Sequence, residues 1–409
     1  MRDPLEGTDV RLARPWIWVL GFVALSVLYV QLFPKQMAFV AMLLSLPVMI
    51  FLHELGHFVT AKRTGMKVTE FFVGFGPRVW SFTRGETEYG VKAVPLGGYC
   101  KIIGMTNLEE VAPEDEPRAY RSKGYGAKVL VAVAGSTMHG LIALVLVFGL
   151  LTFHGDWQER TTTLTLDEVT PDYPAYEAGL RSGDRVVAID GQRLRDYEQL
   201  FNYLGARNDG ETVTFTYERD GQTYDAPVTL EESTLDGITR VRAGIAPRVH
   251  IPKISLGDAA VEAPQVVYEL GKESVGALGK MFSLSGIRNY FGLLSGDEDA
   301  DETQRFLSPV GYVRVGGQAV ESGLVESVML LILINVFVGM FNLVPLLPFD
   351  GGHIALATYE KVASIVKRRP VHADAAKLLP LTAIVVGVMG FIFLSSVFLD
   401  IAKPADNPF

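Results

Sequence analysis

The sequence predicts an α-helical membrane protein of about five transmembrane helices, with one membrane-associated β-hairpin and one inserted α+β domain. Three observations carry this. The chain has 409 residues, 49% of them hydrophobic, and a positive mean hydropathy. Its apolar residues gather in five blocks, Trp16–Phe33, Met37–Ala61, Lys128–Phe153, Val328–Leu347 and Leu378–Leu399, each near the ~20 residues that span a bilayer. Between the third and fourth blocks lies a long segment, from Gly155 to about Gly323, in which alternating patterns broken by Asp-Gly pairs up to Leu230 read as sheet.

The first block has the length of a signal peptide as well as of a span. It has no small-x-small cleavage site and ends Gln31-Leu32-Phe33-Pro34-Lys35, so it reads as a retained anchor. The second block contains His53-Glu54-Leu55-Gly56-His57. On a helix His53 and His57 point the same way and offer two imidazoles to one metal ion. Glu54 stands beside them as a base for the water that such an ion activates. A soluble helix with two surface histidines would carry the same short pattern. The apolar flanks decide against it, because ionisable groups in hydrocarbon are costly and mark function.

The fourth block ends Asn342-Leu343-Val344-Pro345-Leu346-Leu347-Pro348-Phe349-Asp350-Gly351-Gly352. Pro345 and Pro348 end a regular helix, and Gly351 and Gly352 allow a tight turn after Asp350. Such a break is tolerated at membrane depth only inside protein or beside a watery cavity. Asp350 on such a break can reach a metal. Two imidazoles and a carboxylate leave the fourth position of a tetrahedral zinc open for water. A helix end at the interface, with Asp350 in a polar turn, is the alternative.

Basic residues set the orientation. Arg2, Arg11 and Arg14, the loop from Lys62 to Lys101, and Lys361, Lys367, Arg368 and Arg369 all fall on one side if the amino terminus is cytoplasmic. The segment from Gly155 is then extracytoplasmic. His57 precedes Lys62 by five residues, roughly 8 Å from the cytoplasmic end at 1.5 Å per residue. The net charge of −9 gives no reason to expect a nucleic-acid partner. Cys100 is the single cysteine, which excludes an internal disulfide.

Together the histidine pair and the broken carboxylate segment resemble the site-2 protease family of intramembrane zinc metalloproteases. His53, Glu54 and His57 match its zinc motif, and Asn342, Pro345, Asp350 and Gly351 match its asparagine-proline-aspartate-glycine motif. Gly74-Phe75-Gly76-Pro77 is similar to its glycine-rich turn, Glu86–Tyr99 to its β-hairpin, and Ser308-Pro309-Val310-Gly311 to a patch before the corresponding span. The run Ala178–Gly191, with its Gly-Asp turn and its strand ending at Asp190-Gly191, resembles a PDZ domain. The likeness covers about residues 37 to 400 and is nearest to the bacterial branch with a single PDZ domain. Two departures stand out. The third block reads Ala134-Gly135-Ser136-Thr137-Met138-His139, where relatives often carry proline after the glycine and asparagine last. His139 is then an alternative ligand, a partner of the metal histidines, or a buried ring bonded to neighbouring backbone. The anchor before the zinc helix is the other departure.

The expected organisation is an anchor in 1–36, a first catalytic half in 37–153, a PDZ-like domain in 160–250, an amphipathic helix and linker in 251–326, and a second catalytic half in 327–409. The expected activity is a multi-pass inner-membrane zinc protease cutting transmembrane segments of single-span proteins in the lipid bilayer. The metal ligands are His53, His57 and Asp350, and Glu54 is the catalytic base. Glu88–Tyr99, ending in Gly97-Gly98, reads as a strand edge that holds an unwound substrate. The family resemblance implies that Asn342 bonds the substrate backbone and that substrates are like anti-sigma factors. The PDZ-like domain would take a peptide or chain end, or act as a size filter. A membrane metalloprotease cutting extramembrane loops and a non-catalytic PDZ scaffold are the other classes.

Overall fold

The computed structural model describes residues 34–105, 109–157, 159–235, 238–297 and 300–404. It divides into two compact units, residues 1–143 with 269–409 and residues 144–268. Four helices among the described residues are long and apolar enough to cross a membrane. The expected first span, Trp16–Phe33, lies outside the described residues.

In the first unit, α1 (Pro34–Arg63) carries the histidine motif and continues past Pro47. Strands β1 (Val68–Arg84) and β2 (Thr87–Ile102) follow, then α2 (Tyr125–Phe153), of which residues 125–143 belong to this unit. The two strands fold back on themselves. Phe71, Phe72 and Val73 lie opposite Cys100, Tyr99 and Gly98, and also opposite Tyr89, Gly90 and Val91. Val91 faces Trp80 as well. The expected edge strand is therefore flanked on both sides at Val91, and the open edge is the end of β2 around Gly98. A local alternating pattern does not encode which strand ends up outermost, because long-range pairing decides it. At the turn, Glu86 accepts two bonds of 2.7 Å from Arg118 and one from Lys62 at the end of α1. Arg118 first, then Lys62, holds the Glu86 carboxyl down at about 2, so this clamp stays charged at physiological pH. Val79, Trp80 and Phe82 remain exposed, an apolar face suited to lipid.

The second unit holds β3 (Thr161–Val169), α3 (Pro174–Glu177), β4 (Arg185–Ile189), β5 (Gln192–Arg193), α4 (Tyr197–Gly205), β6 (Thr212–Arg219), β7 (Gln222–Thr229), β8 (Glu231–Leu235), β9 (Ile238–Arg242) and β10 (Ile245–His250). The sheet order is β10-β3-β4-β6-β7, with β5 on β4 and β8-β9 as a separate pair. Asp190 and Gly191, and Asp220 and Gly221, all have positive φ. That is what two-residue hairpin turns of the type predicted from Asp-Gly require. Alternate residues Val213, Phe215 and Tyr217 enter a core with Leu166, Ile189 and Val228. Asp184, 1% exposed, receives two bonds of 2.7 Å from Arg219.

The amphipathic helix expected within 251–326 is two helices, α5 (Leu256–Met281) and α6 (Leu284–Ser295), because Ser283 caps the second by accepting from the Gly286 amide at 3.1 Å. Then come α7 (Pro309–Ser322), α8 (Leu324–Asn342), α9 (Asp350–Lys367) and α10 (Leu379–Ala402). The Ser308-Pro309-Val310-Gly311 patch is the capped start of α7. Its Ser308 amide donates to Asp400 at 2.8 Å. Asp400, near the end of α10, also pairs with Arg305; the two side chains are 1% and 5% exposed. Removing one member of a buried, bonded pair typically costs about 3–5 kcal/mol. Asp400→Ala should therefore melt well below wild type in detergent, and Asp400→Asn should fall between them. Equal melting temperatures for all three would show that this staple contributes nothing.

Candidate active site

Two glycines let α1 and α2 touch backbone to backbone. A Cβ at Gly56 would lie 2.6 Å from the Ala134 carbonyl oxygen, and one at Gly135 would strike the imidazoles of both His53 and His57. The rings thus lie directly against α2. Nδ1 of His57 donates to the Val131 carbonyl at 2.8 Å. That bond fixes the tautomer and leaves the lone pair on Nε2.

Asp350 comes from the far part of the chain. The break is where the prolines put it, but it precedes Asp350 rather than following it. Gly351 and Gly352 belong to the first turn of α9. They are small because a Cβ there would meet the backbone of residues 343–347. Asp350 therefore sits in the first turn of a helix, where a negative charge is favoured.

Nε2 of His53 and Nε2 of His57 are 3.2 Å apart, and Oδ2 of Asp350 lies 3.4 and 3.3 Å from them. A tetrahedral ion with bonds of about 2.0–2.1 Å has donor separations of roughly 3.3–3.4 Å. The triangle therefore has the dimensions of one face of a zinc site. Oδ2 of Asp350 is buried without a hydrogen-bond donor. A buried carboxylate facing two imidazole nitrogens calls for positive charge among them, which a metal ion supplies. The residues fit a metal.

Glu54 shares a cavity of about 240 Å³ with all three. A Cβ on Gly98 would stand 3.1 Å from Cγ of Glu54, so glycine lets β2 pass against the carboxylate. The Cys100 amide faces the same carboxylate. Burial pushes the Cys100 thiol far up, leaving it protonated. A Cβ on Gly97 would overlap the Phe75 ring. Asn342 closes α8 and does not line this cavity. His139 sits near the cluster, its ring centroid 5.1 Å from that of His53, but the donor group comprises only His53, His57 and Asp350 among the described residues. Its Nδ1 meets the Asn335 side chain at 3.1 Å, not a neighbouring backbone group. Sequence reasoning passed over His353, which lines the cavity. Its spacing of three from Asp350 on α9 was the available signal.

Fold and site define a membrane metallohydrolase. Residues 41–389 match the model of peptidase family M50. Zinc metalloprotease Rip1 of Mycolicibacterium smegmatis is 35% identical over 404 residues, covering 88% of this chain and 96% of its own. Rip1 of Mycobacterium tuberculosis is 35% identical over 397 residues, with the same coverage. A putative zinc metalloprotease of Fusobacterium nucleatum is 28% identical, covering 81% of this chain and 91% of its own. A crystal structure of the PDZ domain of an SdrC-like protein from Listeria monocytogenes is 23% identical, with a TM-score of 0.19, over 21% of this chain and 86% of its own.

This chain belongs to peptidase family M50 and is a zinc metalloendopeptidase of the site-2 protease type. The glycine at the helix crossing makes a sharp test of the site. Gly135→Ala adds one methyl group where both imidazoles lie, and should strip most of the zinc from the purified protein while its helical circular dichroism is kept. Full zinc occupancy in that variant would show that the imidazoles do not rest on α2.

Proposed function

We propose that this protein cuts transmembrane segments of single-span proteins inside the bilayer. One observation carries the proposal. The donor triangle and Glu54 share one cavity, and the helix bearing three of the four is long and apolar enough to span. In this reading His53, His57 and Asp350 hold zinc. When bound, zinc supplies Lewis acidity, which acidifies water and polarises a scissile carbonyl. Glu54 takes the proton of the attacking water and later delivers it to the leaving amine.

The substrate has to unwind first, because a helix shields its own peptide bonds. An unwound segment needs backbone partners in an apolar place, where each unpaired group costs several kcal/mol. The end of β2 supplies them. If the Cys100 amide faces Glu54, the Gly98 amide, two residues earlier, points to the same open side. The substrate then adds as a strand along Gly97-Gly98, and Asn342 bonds its backbone further along.

The second unit acts as a PDZ domain that admits substrates already trimmed outside, with anti-sigma factors as the substrate class. The basic residues favour a cytoplasmic zinc site and an extracytoplasmic second unit. A cysteine at Asp220 should accordingly be labelled from outside intact cells and one at Arg368 should not; the opposite pattern overturns this sidedness.

Trapping tests the strand. In a Glu54→Gln, Cys100→Ser background, a cysteine at Lys101 should cross-link to cysteines in the apolar segment of a bound substrate with a period of two. Cross-links confined to the substrate's loops would remove the intramembrane reading, and a period of three to four would remove the added strand.

A further inference from the structure

We infer that His139 and Asn335 are positioning residues that hold His53 in its metal-binding tautomer. The inference rests on the ligand assignment above. His53 and His57 have unequal support. The Nδ1 of His57 is anchored to a backbone carbonyl, whereas the Nδ1 of His53 is buried and has no partner. With Nε2 turned to the donor triangle, Nδ1 of His53 must carry the proton, and a metal-ligating histidine ordinarily donates that proton to an acceptor.

A chain of bonds that starts on α8 turns His139 into an acceptor. Nδ2 of Asn335 donates to the Leu331 carbonyl at 2.9 Å. A carbonyl only accepts, so the amide of Asn335 is oriented with Oδ1 toward His139. Oδ1 lies 3.1 Å from Nδ1 of His139, which makes that nitrogen the donor. In the uncharged ring Nε2 then holds the lone pair. Both members are buried, His139 at 2% and Asn335 at 1% exposure. Gly339 of α8 admits the histidine, since a Cβ there would stand 3.0 Å from Cβ of His139. The rings of His53 and His139 have centroids 5.1 Å apart, tilted by 47°. Two imidazoles joined nitrogen to nitrogen have centroids roughly 5 Å apart at hydrogen-bond length. Nε2 of His139 thus accepts from Nδ1 of His53, directly after a small ring rotation or through one water. The Gly135 carbonyl is the competing acceptor near the His53 ring.

The test is zinc affinity of the full-length protein in detergent, by competition with a chromophoric chelator. Loss of such a partner typically weakens metal binding 10–100-fold. His139→Ala and Asn335→Leu should each do so in a protein that keeps its helical circular dichroism, with a lowered melting temperature because each leaves a buried polar partner unpaired. The double variant should be no worse than His139→Ala, because the two act in series. His139→Gln, whose amide oxygen can stand where Nε2 stood, should recover most of the affinity; a merely space-filling role would not distinguish Gln from other residues of its size, such as Met. His53→Ala is the control, and zinc retention there would remove the ligand assignment itself. If His53→Ala loses zinc while His139→Ala keeps wild-type affinity, Gly135 is the acceptor and the inference is wrong. Should His139→Ala fail to fold, unchanged affinity in Asn335→Leu overturns it equally.

Discussion

The contact on which the site depends is the crossing of α1 and α2 at Gly56 and Gly135. Between helices in lipid there is little hydrophobic driving force, so close association relies on small residues that let backbones meet. Here that closeness does chemical work. It presses His53 and His57 onto α2, where the Val131 carbonyl takes one ring and α2's own His139 stands beside the other. A wider crossing would leave both imidazoles without walls.

The third donor is tied to the same helix by a different means. Lys128, near the start of α2, pairs with Glu360 of α9 at 2.8 Å, with side chains 7% and 16% exposed. Glu360 also accepts from the Ala373 amide at 2.9 Å. Since Asp350 begins α9, this buried pair fixes the helix carrying the carboxylate to the helix carrying the walls. Buried ion pairs add little net stability, but breaking one is expensive, which suits a link that sets position. The Glu86 clamp fastens the β-hairpin to the end of α1 in a similar manner.

Much of this was legible in the sequence because the signals were local. The i, i+4 histidines, the proline-broken segment with Asp350, the Asp-Gly hairpin turns and four apolar blocks each follow from neighbours in the chain. What was not legible came from long-range packing. The doubling of the hairpin restricts the open edge, expected over Glu88–Tyr99, to its end around Gly98. Gly351 and Gly352 read as a turn, yet they are helical and small for close approach to residues 343–347. Nothing next to Gly135 in the chain signals the two imidazoles it seats, which come from another helix. The sequence leaves several partners open for His139, and the one it meets, Asn335, lies 196 residues away in the chain.

The central claim is that Glu54 and a metal held by His53, His57 and Asp350 cut a peptide bond at membrane depth. Its most direct test is reconstitution in liposomes with a single-span substrate, comparing wild type with Glu54→Gln at equal zinc content and mapping the cut by mass spectrometry. The account predicts a cut within the apolar segment by wild type and none by the variant. A cut confined to the substrate's extramembrane part, or undiminished cleavage by Glu54→Gln, would contradict it.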